Sequence, residues 1–227
     1  MYRRFGKRAL DFLLAALGCV VLSPLLLVLT LAGAAAMRGN PFFVQERLGK
    51  DERPFRLTKF RTMDNRKDKQ GNLLPDEERL NAYGRFLRMT SLDELPELFQ
   101  ILSGRMALVG PRPLLVSYLP YYTETERRRH LVRPGLTGLA QVRGRSFIPW
   151  EEIFRYDVEY VDRYSLGMDL RILLDTARQV LKHGDVADMK TVTVDEHGET
   201  WVTDHGEKKR LHRPLDVERS HEQRDRQ

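Results

Sequence analysis

One long apolar run interrupts an otherwise finely mixed chain. From Phe12 to Ala36, FLLAALGCVVLSPLLLVLTLAGAAA, 25 residues carry no charge. As a helix at about 1.5 Å per residue the run reaches roughly 37 Å, more than the ~30 Å of a hydrocarbon core. It is longer than the apolar core of a secretory leader, and its AGAAA end leads straight into MRGNPFF. Pro24 at the midpoint removes a backbone hydrogen bond and crowds the preceding turn, so a kink is expected. The kink divides the run into Phe12–Leu22 and Leu25–Ala36, each about 16–18 Å long and deep enough for one leaflet. Ser23 can bond a carbonyl that the kink frees. Arg3, Arg4, Lys7 and Arg8 precede the run, and Arg38, Arg47 and Lys50 follow it. Lys and Arg accumulate on cytoplasmic flanks. Matched basic flanks favour a helix-break-helix that enters and returns on one side; a bent spanning helix is the alternative.

After Asn40-Pro41 the pattern changes. Phe42–Gln45 and Phe55–Thr62 read as strands around the turn-rich GKDERP, hence a hairpin. In 76–90, Leu80, Tyr83, Phe86 and Leu87 fall at helical spacing and predict one amphipathic helix, either packed on a core or lying among headgroups. A short helix is predicted over 94–103. Longer helices follow at Glu151–Tyr164, with Ile153, Tyr156, Tyr160, Val161 and Tyr164 on one face, and at Leu170–His183, with Gly184 to end it. TVTV and TWVT around DEHGE fit a small hairpin, and Lys208–Gln227 is too polar to hold a core unless an edge strand pins it. The expected fold is α+β and mostly helical. Residues 1–39 form the basic N-terminus and membrane hairpin, 40–190 a small globular domain with interfacial helices, and 191–227 a polar tail.

Charge sharpens this picture. All 38 basic and 32 acidic residues lie outside the apolar run, for a net charge of +6. The molecule is a polar domain joined to a membrane element, and no second run supports a polytopic transporter. Its single cysteine, Cys19, excludes a disulfide framework and a cysteine zinc site. Four of the six histidines lie in the tail without the convergent spacing of a metal site. The basic stretch Arg47–Lys69 is either a solvated face or a contact for lipid phosphates or an anionic substrate. Scattered basic residues and an anchor argue against nucleic acid.

Three segments could carry chemistry. In TSLDELP, Ser91 and Glu94 have capping-box spacing, which leaves Asp93 without a structural task. Placed at a helix start, Asp93 would be ionised beside an anion site, suited to nucleophilic phosphoryl transfer. In LVGPRP, Pro111 and Pro113 stiffen the backbone around Arg112, which is either an exposed loop residue or a guanidinium set for a diphosphate. The glycine-rich stretch from Arg133 to Arg145 is either an ordinary loop or a close backbone approach to phosphate.

Taken in order, KRALDFLLAALGCVVLSP, PFFVQERLGKDERPFRLTKFRTM, LRMTSLDELPELFQIL, LVGPRP, RPGLTGLAQVRGR and Tyr164–Asp169 resemble the bacterial sugar transferases, the monotopic phosphoglycosyl transferases that initiate glycoconjugate assembly. The resemblance runs from Arg3 to about His183 and is closest to the family's minimal members. It implies a UDP-sugar donor, a polyprenyl phosphate acceptor, a Mg²⁺ requirement and the cytoplasmic face of the bacterial inner membrane; a homo-oligomer is compatible with the sequence, which does not fix the oligomeric state. It implies that Asp93 and Glu94 are the catalytic pair, with Asp93 the nucleophile and a metal ligand, and that Ser23-Pro24 is the membrane break. Lys59, Arg88, Pro111, Arg112, Pro113, Arg145 and Asp169 fall on family positions near the active site; Asp169 could equally cap the helix at Leu170. The chain departs from the family at Glu97 and Gln100, where Gln and Asn are common, and at Leu139 and Arg143, where Trp and Asn are. The sugar is not legible. The rival reading is a membrane-surface adaptor that binds anionic lipids.

Overall fold

The computed structural model describes residues 2–143, 150–182, 191–194, 200–204 and 207–211. A wide turn at Tyr2–Gly6 leads into α1 (Lys7–Val21), and α2 (Ser23–Ala36) follows after one residue. Leu22, at φ −89° and ψ 2°, lies between them, and the two helical arms bend by 64°. Pro24 has no N–H for the carbonyl of Val20, and Ser23 Oγ donates to that carbonyl at 2.8 Å instead. The break is therefore where the sequence puts it. Among the described residues no single helix is long and apolar enough to cross a membrane, but the two arms of this bent pair together have the length and composition to do so.

Strands β1 (Phe42–Leu48) and β2 (Pro54–Phe60) form the expected antiparallel hairpin, with Val44 opposite Thr58. Its loop places Asp51 and Glu52 at positive φ. Helix α1 packs on this hairpin and on α5 (Glu97–Leu102) through Ala15, Leu57, Leu98, Ile101 and Met106. Arg8 of α1 donates to the carbonyls of Ile101 and Leu102 at 2.6 and 2.8 Å, satisfying the open end of α5.

The amphipathic segment 76–90 is two helices, α3 (Asp76–Arg79) and α4 (Ala82–Thr90), where one was expected. Leu80 leaves the helix to bridge with Met63, and Asn81 restarts it by accepting from Gly84 N–H at 2.9 Å. A Cβ at Gly84 would sit 1.8 Å from the Thr62 carbonyl, so only glycine lets α4 lie this close. Leu87 joins Leu29 and Phe60 in a core with α2, and Tyr83 Oη donates to the Leu29 carbonyl at 2.8 Å.

A second correction concerns Ser91. It adopts a left-handed conformation that ends α4, and its side chain caps nothing. Leu92–Glu94 form a single tight turn, and α5 starts only at Glu97, after Pro96. Proline lacks the N–H that a first helical turn leaves open, so Pro96 suits this entry.

The remaining layer joins short parallel strands β3 (Ala107–Val109) and β4 (Gly135–Thr137) to the helices α7 (Leu139–Arg143), α8 (Trp150–Arg163) and α9 (Leu166–Lys182). The one-turn α6 (Glu124–Arg127) precedes β4. Val109, Leu139, Val142, Tyr160 and Ile172 form this core. Helix α9 begins four residues before Leu170, so Asp169 lies inside its first turn and is not an N-cap. In the tail, β5 (Thr191–Val194) and β6 (Thr200–Asp204) pair as expected. A third strand, β7 (Glu207–Leu211), pairs with β6 at the sheet edge and is the edge strand that the polar tail was expected to need. The fold is α+β and mostly helical. The expected C-cap Gly184 lies outside the described residues.

Candidate active site

Strand β2, the turn Leu92–Glu94, helix α5 and the Pro111–Pro113 loop bring four sequence-distant groups together. Lys59 Nζ contacts Glu94 Oε1 at 2.5 Å, and Arg112 Nη2 contacts the same oxygen at 2.7 Å. Glu97 Oε1, on α5, lies 3.2 Å from Lys59 Nζ at an angle that makes no hydrogen bond. Glu97 is 3% exposed. Two cations thus face two carboxyls that cannot be equally ionised. Burial opposes charge on Glu94, but Arg112 and then Lys59 outweigh it and hold Glu94 down to about 2. Burial, and next the charge of Glu94, push Glu97 up to about 7 against the pull of Lys59.

Asp93 points the other way. It lines a cavity of about 350 Å³ whose walls also carry Arg47, Lys59, Arg61, Arg79 and Arg88. Asp93 is the one carboxylate among the residues that line this cavity, against five cations. The site expected at a helix start is in fact a three-residue turn. Burial, followed by Glu94, raises the Asp93 pKa, while Lys59 and Arg112 oppose the rise. The expectation that helix dipoles would lower it is corrected: a single turn supplies no stack of free N–H groups. Raised basicity makes a carboxylate a better nucleophile where it is still ionised.

A smaller cavity of about 50 Å³ lies on the other side of Lys59, lined by Arg47, Glu97, Arg112, Pro113 and Gly135 among others. Arg47 and Lys59 face both cavities. Arg47 Nε is buried with no hydrogen-bond partner among the described residues. Burial, then the charge of Arg112, lower its pKa.

Of the sequence candidates, Lys59, Arg88, Asp93, Glu94, Arg112 and Pro113 converge here. Arg88 lines the larger cavity and donates from Nε to Thr62 Oγ1 at 3.1 Å. Pro111 is buried beside the site, its carbonyl accepting from Gly135 N–H at 2.9 Å. Asp169 is not brought to this cluster by any bond. It accepts from Tyr2 Oη at 2.5 Å, Lys7 Nζ at 2.9 Å and Tyr160 Oη at 2.8 Å, tying the N-terminus to α8 and α9. Arg145 lies outside the described residues. Part of the glycine-rich stretch packs closely: a Cβ at Gly135 would meet Gly110 N at 2.1 Å, so β4 and the end of β3 touch backbone to backbone.

The chain matches the bacterial sugar transferase family model over residues 2–183. It belongs to the bacterial sugar transferase family. It is 47% identical over 190 residues to the Bacillus subtilis protein described as "Uncharacterized sugar transferase EpsL", covering 83% of this chain and 94% of that one. It is 40% identical over 185 residues to a UDP-glucose:undecaprenyl-phosphate glucose-1-phosphate transferase of Caulobacter vibrioides, covering 77% of this chain and 69% of that one. A Klebsiella pneumoniae protein of the same description is 37% identical over 180 residues, covering 75% of this chain and 39% of that one. The chain thus spans only about two fifths of the Klebsiella relative.

Within this family frame, Arg47, Arg61 and Arg79 were not singled out as site residues. For Arg47 and Arg61 the signal was present in the basic run from Arg47 to Lys69, but alternation along β1 and β2 alone does not say which cations face the cavity; Arg79 lies beyond that run, at the end of α3.

Proposed function

We propose that this sugar transferase moves a sugar-1-phosphate from a UDP-sugar to a polyprenyl phosphate, undecaprenyl phosphate as in its relatives' names, and releases UMP. The observation that carries this reading is the cavity lined by five cations and the single carboxylate of Asp93. A diphosphate needs that charge, and arginine forks match phosphate oxygens. In the first step an Asp93 carboxylate oxygen attacks the sugar-bearing phosphorus. The bond from that phosphorus to the bridging oxygen breaks, and UMP leaves with the electron pair. In the second step a phosphate oxygen of the acceptor attacks the same phosphorus and restores the Asp93 carboxylate. Glu94, held ionised, aims Lys59 and Arg112 rather than donating a proton. Each phosphoanhydride is exchanged for another through an acyl phosphate, so the steps are reversible.

The residues fit Mg²⁺. This ion is commonly held by one or two carboxylates with substrate phosphates and water, and Asp93 accepts no side-chain hydrogen bond among the described residues. There is no cluster of three or more potential ligands among those residues, so phosphate oxygens would complete the set. When bound, Mg²⁺ supplies charge neutralisation that lets a carboxylate approach a diphosphate.

The bent pair α1–α2 is read as a re-entrant membrane hairpin with both ends cytoplasmic. Its outer apolar side chains are bare, Leu13 at 64% and Val20 at 72% exposure, which a bilayer would cover. The Tyr83–Leu29 bond joins this hairpin to α4, which carries Arg88 into the cavity. The site would then sit at the headgroup plane, on the cytoplasmic face of the bacterial inner membrane, where a polyprenyl phosphate keeps its charge. UMP release from a UDP-sugar panel that includes UDP-glucose, with undecaprenyl phosphate in detergent, tests this. Release with one or more donors is expected; binding of anionic lipid with no release from any donor would leave the adaptor reading.

A further inference from the structure

The Pro-Arg-Pro loop has an anchoring problem. Pro111 and Pro113 have no N–H, so the segment must be fastened mainly by its carbonyls. The Pro111 carbonyl takes Gly135 N–H at 2.9 Å, and the Leu114 carbonyl takes Leu48 N–H at 2.9 Å. The carbonyl between them, of Arg112 itself, takes a side chain: Arg129 Nη2 at 2.8 Å. Arg129 lies in the tight turn Arg128–Leu131 and was not singled out in the sequence.

Arg129 is itself fixed from behind. Its Nε and Nη2 contact Asp157 Oδ2 on α8 at 3.0 and 2.7 Å, and both residues are 2% exposed. Tyr122 and Phe154 flank it, with ring centres 5.8 and 5.6 Å from the guanidinium carbon. A buried ion pair is weak evidence for stability and is often matched by apolar residues of similar volume. Here one hydrogen of the pair is directed at the backbone of a candidate phosphate-binding residue, whose own guanidinium ends on Glu94 Oε1.

We infer that Arg129, held by Asp157, is a positioning residue for donor binding: it fixes the peptide after Arg112 and so aims the Arg112 guanidinium at the nucleotide diphosphate. The inference rests on the UDP-sugar reading above. Arg112 is the residue that touches phosphate, and Arg129 acts through it. Lysine at position 129 keeps a cation for Asp157 but is one bond shorter, so its ammonium falls short of the Arg112 carbonyl.

The test is a double-mutant cycle on the full-length protein in detergent with Mg²⁺, read as affinity for UDP, the part common to all UDP-sugars. Arg129→Lys is expected to weaken UDP binding about tenfold in the wild-type background and by less than twofold in an Arg112→Ala background. Its shift in thermal midpoint should be the same in both backgrounds, because packing around Asp157 does not depend on the Arg112 side chain. Equal losses of UDP affinity in the two backgrounds would make Arg129 a packing residue and overturn the inference. If Arg129→Lys does not fold, Asp157→Asn enters the same cycle with the same criterion. No UDP binding by the wild type would overturn the donor reading, and Arg112→Ala binding UDP normally would overturn the role of Arg112; both remove the basis of the inference and are told apart from the additive result.

Discussion

Lys59 and Arg112 end on the same oxygen, Glu94 Oε1, at 2.5 and 2.7 Å. Lys59 comes from a strand and Arg112 from a proline-braced loop, and the carboxylate between them sets the separation of two cations that would otherwise repel. Glu94 is therefore a spacer between phosphate-binding groups. Its neighbour in sequence, Asp93, turns into the larger cavity.

This geometry makes Arg112 sensitive to shape as well as charge. A guanidinium can keep Nη2 on Glu94 while its other nitrogens meet phosphate; an ammonium offers one point. Arg112→Lys should lower kcat/KM more than tenfold, by about 1.4 kcal/mol or more of transition-state binding, in a steady-state UMP-release assay. The side chain is 47% exposed, so near-wild-type kinetics would make it an ordinary surface arginine.

The covalent route makes a separate demand on Asp93. Asp93→Asn should abolish both turnover and the exchange of labelled UMP into UDP-sugar without acceptor, since an amide cannot form and release the phosphosugar. In the wild type, exchange should fall on the acid side at a pH above the ordinary aspartate range, because burial, then Glu94, raise the Asp93 pKa. That limb will belong to coupled carboxyls as a group. Turnover by Asp93→Asn, or UMP formed only when both substrates are present, would point to direct transfer in a ternary complex.

How much of this could be read from residues varies with the physics behind each feature. The break at Ser23-Pro24 was legible because proline's missing N–H acts locally, and Ser23 answers it three residues back. The β1–β2 hairpin followed from its apolar pattern. Ser91 misled because capping-box spacing describes a local option, whereas packing of Leu87 and Leu95 in one core requires the chain to turn there through a left-handed residue. The helix over 76–90 failed at Asn81, a good N-cap whose restart is set by the approach of α4 to Thr62. Asp93 and Arg112 stood out in local motifs, whereas Lys59 and the pairing of Glu94 with Asp93 came from the family resemblance; the structure brings Lys59, Glu94 and Arg112 into contact. Arg129 and Asp157 were missed because a buried pair 28 residues apart leaves no periodic trace, and Arg129 sits in a run, RRRH, that reads as surface charge.

The topology of the bent helices gives a prediction outside the active site. In a Cys19→Ser background, Phe5→Cys and Asn40→Cys should both resist a membrane-impermeant thiol reagent added to intact cells and both react after lysis. Labelling of one position only from outside would show a spanning helix. Pro24→Ala restores the N–H that the Val20 carbonyl lacks, so it should straighten the pair and move a measurable fraction of molecules to that one-sided pattern.

Glu97 provides a test in which stability reports on the site. Its carboxyl titrates near 7 in the folded protein against an ordinary 4.5, so between those values the folded chain holds a proton that the unfolded chain releases. Stability from neutral Glu97 is complete below about pH 4.5 and is lost as pH rises through 7. Glutamine is neutral throughout, so Glu97→Gln removes that slope. The variant should gain on the wild type as pH rises from 5 to 8, by at most about 3 kcal/mol. Glu94, held near 2, stays ionised across this range in the folded protein. His130, lowered to about 4, first by burial and then by Arg129, titrates alike in wild type and variant and cancels in the difference. Thermal midpoints of the two proteins in the same detergent at pH 5, 6.5 and 8 measure it. A difference that stays constant with pH would mean that Glu97 is ionised throughout, with Lys59 paired to it as firmly as to Glu94; the two carboxyls would then share their cations equally, and Glu94 would lose its standing as the one fixed anion of the site.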